Sequence, residues 1–246
     1  MIGASKATTT RSYQVLATTT ITSTGSQNYT VPEGVVYIEV ELRGGGGGGG
    51  GGQSSGGKSG TTHRRGGGGG GGAYVKHKIF STNVVKDAVV NFAVGAGGNA
   101  GAAAAAGGNG GDTTLNTITP PGGGSAVDIS GPVAGGGEQG LQGGTLNTNG
   151  SDGGVAANGN ITNTNGSDGD DATTNVSGSS SIENGGDGGD AGNQGVSLTN
   201  TGAGASFSVA AKIGKDGGGG GGGGASQGNV SGAAGADGKV IIKAFG

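Results

Sequence analysis

Three uninterrupted runs of glycine constrain this chain more than any other feature. They span 44–52, 66–72 and 217–224, and so contain nine, seven and eight residues. Glycine loses more backbone entropy on ordering than any other residue, roughly 0.5–1 kcal/mol beyond alanine, so an ordered run needs dense compensating contacts. A flexible linker is the simpler interpretation, but linkers have no reason to match in length. We therefore expect ordered runs.

A chain without side chains can form helices of the polyproline II type, with three residues per turn and a rise of about 3.1 Å per residue. Runs of these lengths would span roughly 22–28 Å side by side. Such helices have no internal hydrogen bonds, so neighbouring helices must supply N–H···O=C partners, with Cα–H···O contacts at the close approach that glycine allows. The runs predict packed polyglycine helices.

Composition excludes several common classes of protein. With 69 glycines in 246 residues, 30% apolar and 3% aromatic residues, the chain cannot form a conventional core of its full length. Four prolines and the lack of a strict Gly-X-Y period exclude collagen, and the absence of cysteine excludes disulfides and thiolate metal sites. The net charge of −3 is unevenly distributed, because 87–211 contains eleven acidic residues and no lysine or arginine.

Strand-like sequence occurs in short blocks around the glycine runs. In VVYIEVEL at 35–42, Val36, Ile38, Val40 and Leu42 alternate with the other residues, which is typical of a strand with one apolar face. Because β-like runs flank the first two polyglycine runs, we predict a hairpin whose arms continue as polyglycine. The predicted fold is mainly β with almost no α-helix: a small antiparallel β-sandwich-like domain with packed polyglycine helices and Gly-rich loops, its strands drawn from 29–42, 74–94, 206–213 and 239–245.

The sequence predicts two parts. Residues 1–28 are rich in Thr and Ser and cannot fold alone, so they form either an arm that docks on a partner or second copy, or a frayed terminus. Residues 29–246 form the glycine-rich β domain, with a low-complexity Gly/Asn/Asp/Thr insertion at about 95–205. Within it NTNGSDG occurs at 147–153 and 163–169, which indicates local turns because two copies are too few for a solenoid.

Two nonapeptides raise the question of calcium. GGNGGDTTL at 107–115 and GGDGGDAGN at 185–193 match the first six positions of the calcium-binding β-roll repeat, but Thr114 and Gly192 replace its large aliphatic residue. Single copies leave Ca²⁺ short of its six to eight oxygens. Although Asp168, Asp170 and Asp171 could add ligands, we expect turns rich in Gly and Asp, no metal and no cofactor.

No catalytic or nucleotide-binding set can be assembled from this sequence. The only histidines are His63 and His77, there is no cysteine, and no phosphate-binding loop follows a strand. Carboxylate pairs for glycoside hydrolysis remain open, but a chain without Trp and with four Tyr has few platforms for stacking sugars. We expect a protein that is not an enzyme and does not bind nucleic acid. No apolar leader segment and no stretch of eighteen apolar residues is found, so we expect neither a signal peptide nor membrane insertion.

The tip between the first two glycine runs is the strongest candidate for contact with a partner. It reads QSSGGKSGTTHRR at 53–65 and contains Lys58, His63, Arg64 and Arg65. One interpretation is a solvated basic loop. The other is a contact with an anionic surface, such as a glycan that carries phosphate or carboxylate groups.

The order of blocks over residues 27–246 resembles the glycine-rich domain of bacteriophage tail and fibre proteins. The blocks are YTVPEGVVYIEVELRGGGGGGG, GGGGGAYVKHKIF, VVNFAVGAGG, GGNGGDTTLN, the late polyglycine and GADGKVIIKAF. The chain departs from the family pattern at Arg43 and its pure glycine, where the family has an aromatic or apolar residue followed by mixed Gly and Ala, and at 120–206, which has no counterpart that we can align.

Phage adhesins with several polyglycine runs are also similar, and in those proteins packed helices carry loops that recognise the host. The resemblance implies contact loops at 53–65, 99–112 and 225–236. It implies a non-enzymatic virion protein at a tail or fibre tip, made in the host cytoplasm and acting in the extracellular particle. Its partners would be a bacterial surface receptor or glycan, other virion proteins through the N-terminal arm, and further copies in a homo-oligomer, for which a trimer is one option.

Two alternatives remain open at this point. One is a purely structural virion component, such as a fibre spacer, spike or capsid decoration protein. The other is an ice-binding protein, since flat polyglycine sheets can order water, but the threonines are scattered in the middle of the chain rather than regularly spaced.

Overall fold

A computed structural model describes residues 12–55, 62–80, 82–141, 150–175, 182–192, 214, 217 and 230–246. These residues contain β-strands and no helix, which confirms the predicted fold class. In chain order the strands are β1 (Val15–Ile21), β2 (Gly25–Thr30), β3 (Tyr37–Arg43), β4 (Gln53–Ser55), β5 (Thr62–Arg64), β6 (Tyr74–Phe80), β7 (Val89–Val94), β8 (Thr113–Thr119), β9 (Val127–Asp128), β10 (Val133–Ala134), β11 (Ala156–Ala157), β12 (Thr162–Thr164), β13 (Thr173–Asn175), β14 (Ile182–Asn184) and β15 (Lys239–Phe245).

Two antiparallel sheets form a small β-sandwich. The first has the strand order β1-β15-β3-β6-β12, and the second has the order β11-β10-β8-β7-β2 with β9 paired to β8. Their facing side chains make one apolar core, in which Phe92 is the only buried aromatic residue among those that the structure describes. The largest other members are Ile38, Leu42, Leu115, Ile118 and Ile242. The predicted β-sandwich-like domain is therefore present.

The alternation read from the sequence explains the central strand β3. Ile38, Val40 and Leu42 are fully buried, while Glu39 and Glu41 lie on the opposite face. Glu39 pairs with Lys76 of β6 at 2.9 Å, and Glu41 pairs with Lys243 of β15 at 2.8 Å. The strand begins at Tyr37, so Val36 precedes it and is 45% exposed. The predicted strand at 206–213 lies outside the described residues.

The N-terminal region differs from the expected separate arm. β1 pairs along its length with β15, and β2 pairs with β7. Residues 15–28 thus belong to the two sheets, and the expected boundary at residue 29 falls inside β2. These strands are hard to recognise in the sequence because β1 is Thr-rich and β2 is polar, and each has only one neighbour among the described strands. Residues 1–11 of the expected arm lie outside the described residues.

Beyond the sandwich, the chain forms extended segments that belong to no strand. Eight of the sandwich strands, namely β3, β6, β7, β8, β10, β11, β12 and β15, run directly into or out of such a segment. The segments are 44–52, 65–73, 95–101, 106–112, 135–141, 150–155, 165–172, 185–192 and 231–238. Their described glycines all keep a negative φ, as the left-handed polyproline II helix requires.

Hydrogen bonds of segment 44–52 have a period of three. The N–H groups of Gly44, Gly47 and Gly50 donate to one neighbour, the segment 65–73, at 2.8–3.0 Å. The next residue of each triplet donates to segment 106–112 or to Ala105 beside it, and the third donates to segment 231–238 or to Val230 beside it. Three directions repeating every three residues are the signature of a three-fold helix in a packed bundle. The polyglycine helix predicted at 44–52 is thus present, whereas the predicted run 217–224, apart from Gly217, lies outside the described residues.

Segments 44–52 and 65–73 lie in the interior of the bundle. The first is hydrogen-bonded to five described neighbours, since segments 95–101 and 135–141 also donate to its carbonyl groups. The second is bonded to five segments and to Gly217. A residue surrounded on all sides has no direction left for a side chain. This explains why these two runs are pure glycine.

Peripheral segments carry one polar residue in every three. Segments 106–112 and 185–192 contain the pattern Gly-Gly-X, where X is Asn or Asp. Asn109 and Asp112 are exposed, and their Oδ1 atoms accept the N–H groups of Gln139 and Gly136 in the next segment at 2.8 Å. The same ladder joins two further segments, where Asp171, Asp168 and Asn165 accept from Gly150, Gly153 and Ala156. Side-chain oxygens therefore replace backbone carbonyls at the bundle surface.

The two copies of NTNGSDG are neighbours rather than isolated turns. Within their described parts, Gly169 of the second copy donates to the carbonyl of Ser151 in the first, and Gly166 donates to Gly154, which directly follows the first copy. The copies run antiparallel, and the Oδ1 of Asp168 accepts the N–H of Gly153 between them. The repeat therefore marks two adjacent helices of one bundle.

Thr113 joins the sandwich to the bundle. Facing sheets lie about 10 Å apart because a layer of side chains fills the space between them. Neighbouring bundle segments are instead joined by direct backbone hydrogen bonds. At the junction the fully buried Thr113 hydroxyl donates to the carbonyl of Arg43 at 2.6 Å and accepts the N–H of Gly95 at 3.0 Å. One side chain thus satisfies two backbone groups where the side-chain layer ends.

Replacing Thr113 by Val keeps the shape of the side chain and removes both hydrogen bonds. Because the N–H of Gly95 and the carbonyl of Arg43 then lose a buried partner, we expect Thr113→Val to lower the free energy of unfolding by about 1–3 kcal/mol. Thr113→Ser keeps the hydroxyl and should lose less. Chemical denaturation of the wild type and the two variants measures these differences. A Val variant as stable as the wild type would show that the Thr113 hydroxyl does not stabilise the junction.

Candidate functional site

The connections between bundle segments gather at the end of the bundle farthest from the two sheets, which we call the distal end. This end contains the β4–β5 and β13–β14 hairpins, the turn at 102–105 and Val230. Leu141 and Gly150 lie at the ends of segments 135–141 and 150–155 that are farthest from the sheets. The arrangement follows from the strands, because each segment leaves a sheet in the same direction.

The three loops implicated by the sequence meet at the distal end. The N–H of Gly51, two residues before the first loop, donates to Ala105 of the second loop at 2.8 Å. Gly52, directly before the first loop, forms a bridge with Val230 of the third, and Gly232 of the third donates to Gly101 of the second at 2.9 Å. The β4–β5 hairpin, the turn at 102–105 and Val230 therefore lie beside one another at the distal end, whereas 106–112 and 231–236 continue as bundle segments toward the sheets.

The structure describes three of the four basic candidate residues. His63 and Arg64 lie in β5, opposite Ser54 and Gln53 of β4. Arg65 is half-buried at the start of segment 65–73, and Lys58 lies outside the described residues. Their sequence-predicted location, at the ends of the two glycine arms, agrees with the backbone. Their role in binding stays a prediction.

One further connection at the distal end, the β13–β14 hairpin between segments 165–172 and 185–192, was missed by sequence reasoning. It is flanked by polar, Gly-rich sequence that is typical of ordinary turns. The available signal was the three-residue spacing of Gly, which marks the flanking segments as helices of the bundle.

Ala104 gives the distal surface one strained backbone position. Its φ is 57°, in the left-handed region that residues with a Cβ rarely adopt. It lies in the run of five alanines, and nearby Leu141 is 48% exposed. The described part of this surface therefore combines apolar side chains with the backbone of the basic hairpin.

The flanks of the bundle are acidic, in contrast to the basic hairpin. The carboxylates are those of Asp112, Glu138, Asp152, Asp168, Asp170, Asp171, Asp187 and Asp190. Partial burial raises the pKa of Asp170, and the nearby charges of Asp187 and Asp171 raise it further. A shallow cavity of about 370 Å³ on one flank is lined by Glu138, Asp152 and Gln139 among others. An anionic ligand would be repelled there.

The described residues hold neither a metal-binding cluster nor a helix long and apolar enough to cross a membrane. Outside the bundle, His77 of β6 is half-buried, and burial lowers its pKa against a hydrogen bond with the backbone of Asn158. His77 is therefore neutral at pH 7. It lies in the first sheet, and segment 65–73 separates it from the distal hairpin that contains His63.

The calcium question can be tested at Asp112. Its Oδ1 accepts the N–H of Gly136, so Asp112→Asn, which keeps this acceptor, should change stability by less than about 0.5 kcal/mol, while Asp112→Ala should lose about 1 kcal/mol. Thermal denaturation with Ca²⁺ and with EDTA is the measurement. A calcium ligand would behave otherwise: EDTA would lower the melting temperature of the wild type, and the Asn variant would no longer respond.

Comparison with known proteins agrees with the architecture. A model of the glycine-rich domain family matches residues 21–245, a range that includes the described bundle segments and every described strand except most of β1. No curated protein matches the chain. Since the family match covers most of the 246 residues, the chain belongs to the glycine-rich domain family.

Proposed function

We propose that this protein is a non-enzymatic bacteriophage virion protein at a tail or fibre tip, and that its distal end contacts the host surface. The observation that carries the proposal is the meeting of three sequence-distant loops at one end of the bundle, opposite the sheets. Loops positioned by a rigid scaffold are where binding residues concentrate. The resemblance of the sequence blocks to phage tail and fibre proteins supplies the biological setting.

The bundle suits this function mechanically. Segments 44–52 and 65–73 are held by backbone hydrogen bonds in every direction, so the hairpin at their end is carried by a stiff support rather than by a flexible linker. A preorganised contact surface loses less entropy on binding than a mobile loop. The same support leaves the distal residues free to vary without changing the fold.

Within this surface the basic hairpin is the part we propose for an anionic receptor group. Arginine forms two-pronged bonds with phosphate or carboxylate. The acidic flanks would repel the same group and so direct it toward the distal end.

Binding of the purified protein to susceptible bacteria tests the proposal. We expect the wild type to bind and to compete with infection, and Arg64→Ala/Arg65→Ala to bind more weakly without a change in fold. The loss should shrink near 1 M salt, where the Debye length is about 3 Å. Lys86→Ala is the matched control, since Lys86 is exposed and follows β6 at the opposite end of the sandwich.

The outcomes of this experiment distinguish the proposal from its alternatives. If the wild type does not bind or compete, the protein is better explained as a fibre spacer or another structural component. If wild type and double variant bind equally, the contact lies elsewhere on the distal end, at the alanine turn or beside Val230. If Lys86→Ala weakens binding as much, the attraction is a nonspecific charge effect.

A further inference from the structure

Strand β1 forms one edge of the first sheet. It pairs with β15 on one side, and none of the described strands pairs with its other side. Its outward side chains are open to solvent: Thr18 and Thr20 are exposed, and Val15 and Leu16 are 53% and 50% exposed. The unpaired N–H and C=O groups of such an edge are a template for another strand.

This edge lacks most of the features that normally block strand pairing. Proteins protect exposed edges with Lys, other charges, Pro or bulges. Residues 12–30 contain no charged residue and no proline, whereas the next strand, β15, contains Lys239 and Lys243. One irregularity between Val15 and Ala17 interrupts the pairing of β1, and residues 17–21 are regular. The charges lie in the covered strand and not in the open one.

The sequence of β1 allows two copies of this strand to pair with each other. In an antiparallel pair centred on Thr19, Thr18 of one copy faces Thr20 of the other, and this contact occurs twice by symmetry. Cross-strand Thr pairs are favourable, and like charges opposite each other would be unfavourable. A strand with TTT at its centre and no charge satisfies both conditions, and two-fold dimers are the commonest assemblies.

We propose that β1 is a homodimer interface, at which two copies join edge to edge and extend the five-stranded sheet into one of ten strands. The interface goes beyond host contact, since it lies on the sandwich and leaves both distal ends free. A second copy is favoured over an unrelated strand because self-pairing requires a neutral, self-matching edge, which this strand has.

Charge placed on the exposed face of β1 tests the interface. We expect the full-length wild type to sediment as a dimer, and Thr18→Lys/Thr20→Lys to weaken the dimer roughly tenfold or more because lysines then face lysines. Thr18→Glu/Thr20→Glu should do the same. An equimolar mixture of the two variants should recover dimers, since each Lys then faces a Glu.

The matched control is Asn28→Lys/Thr30→Lys on β2, the edge of the second sheet, where both side chains are exposed. This variant should stay dimeric. The proposal is overturned if the wild type is monomeric at every concentration, if the β1 variants dimerise normally, if mixing them restores nothing, or if the β2 variant dissociates. Recovery by mixing cannot come from unfolded chains, so a folding defect would not be mistaken for support.

Discussion

Gly48→Ala is expected to destabilise the protein by about 3 kcal/mol or more, or to prevent folding. A Cβ at Gly48 would overlap the carbonyl group of Asn99 in the neighbouring segment. The backbone cannot move away easily, because the N–H of Gly48 bonds to Gly108 at 2.8 Å and its carbonyl accepts from Gly140 at 2.7 Å. In a linker the same change would have a negligible or slightly stabilising effect.

Two other glycines serve as comparisons for the effect of Gly48→Ala on stability. At Gly124 the nearest atom to an added Cβ is the Cβ of Pro120 at 3.5 Å, so Gly124→Ala should change stability by less than about 0.5 kcal/mol. At Gly108 the nearest atom is the nitrogen of Asn99 at 3.0 Å, which predicts an intermediate loss. Chemical denaturation of the series is the measurement. Equal stability of Gly48→Ala and Gly124→Ala would contradict the packed interior.

Phe92→Ala should have the second large effect, a loss of about 3–5 kcal/mol. Phe92 is 1% exposed and is the only aromatic residue of the sandwich core among the described residues. We also expect the bundle to lose order together with the sheets. Its segments have no internal hydrogen bonds, and eight sandwich strands run directly into or out of them, so the sheets align the bundle.

The control for Phe92 is Phe80→Ala, because Phe80 ends β6 with 63% of its surface exposed. This variant should lose about 1 kcal/mol or less. Circular dichroism and hydrogen exchange of the glycine amides, measured on the same samples, should give a single coincident transition. A bundle that stays protected after the Phe92 variant has lost its sheets would show two independent units.

The strands with strict alternation were predictable from sequence. β15 has the bounds expected from its block, since Val240, Ile242 and Ala244 place apolar side chains at every second position. The pure glycine runs were equally informative, because their similar lengths argue against flexible linkers. These features are local, and local patterns are visible in one sequence.

The peripheral segments and edge strands were not predictable in the same way. Segments such as 165–172 consist of Asn, Asp, Ser and Gly, whose turn propensities mask a three-residue period that matters only when neighbours are present. β1 and β2 bury little apolar surface, so their sequences resemble a solvated arm. In each case the deciding partner is distant in the chain.

The candidate site was predictable as three separate loops but not as one surface. Sequence placed the hairpin that contains His63 and Arg64 at the end of two glycine arms, which follows from the arms alone. The meeting of Gly51 with Ala105 and of Gly52 with Val230 depends on the antiparallel packing of helices far apart in sequence. Only the three-dimensional arrangement supplies that information.

Amide hydrogen exchange at Gly44–Gly52 tests the central claim, that polyglycine here is an ordered interior, most directly. Every N–H of this segment donates to a neighbouring carbonyl at 2.8–3.0 Å. We therefore predict protection comparable to that of the β3 amides from Tyr37 to Arg43. Exchange of these glycine amides at the rate of an unstructured peptide, in a protein whose β3 amides are protected, would contradict the account.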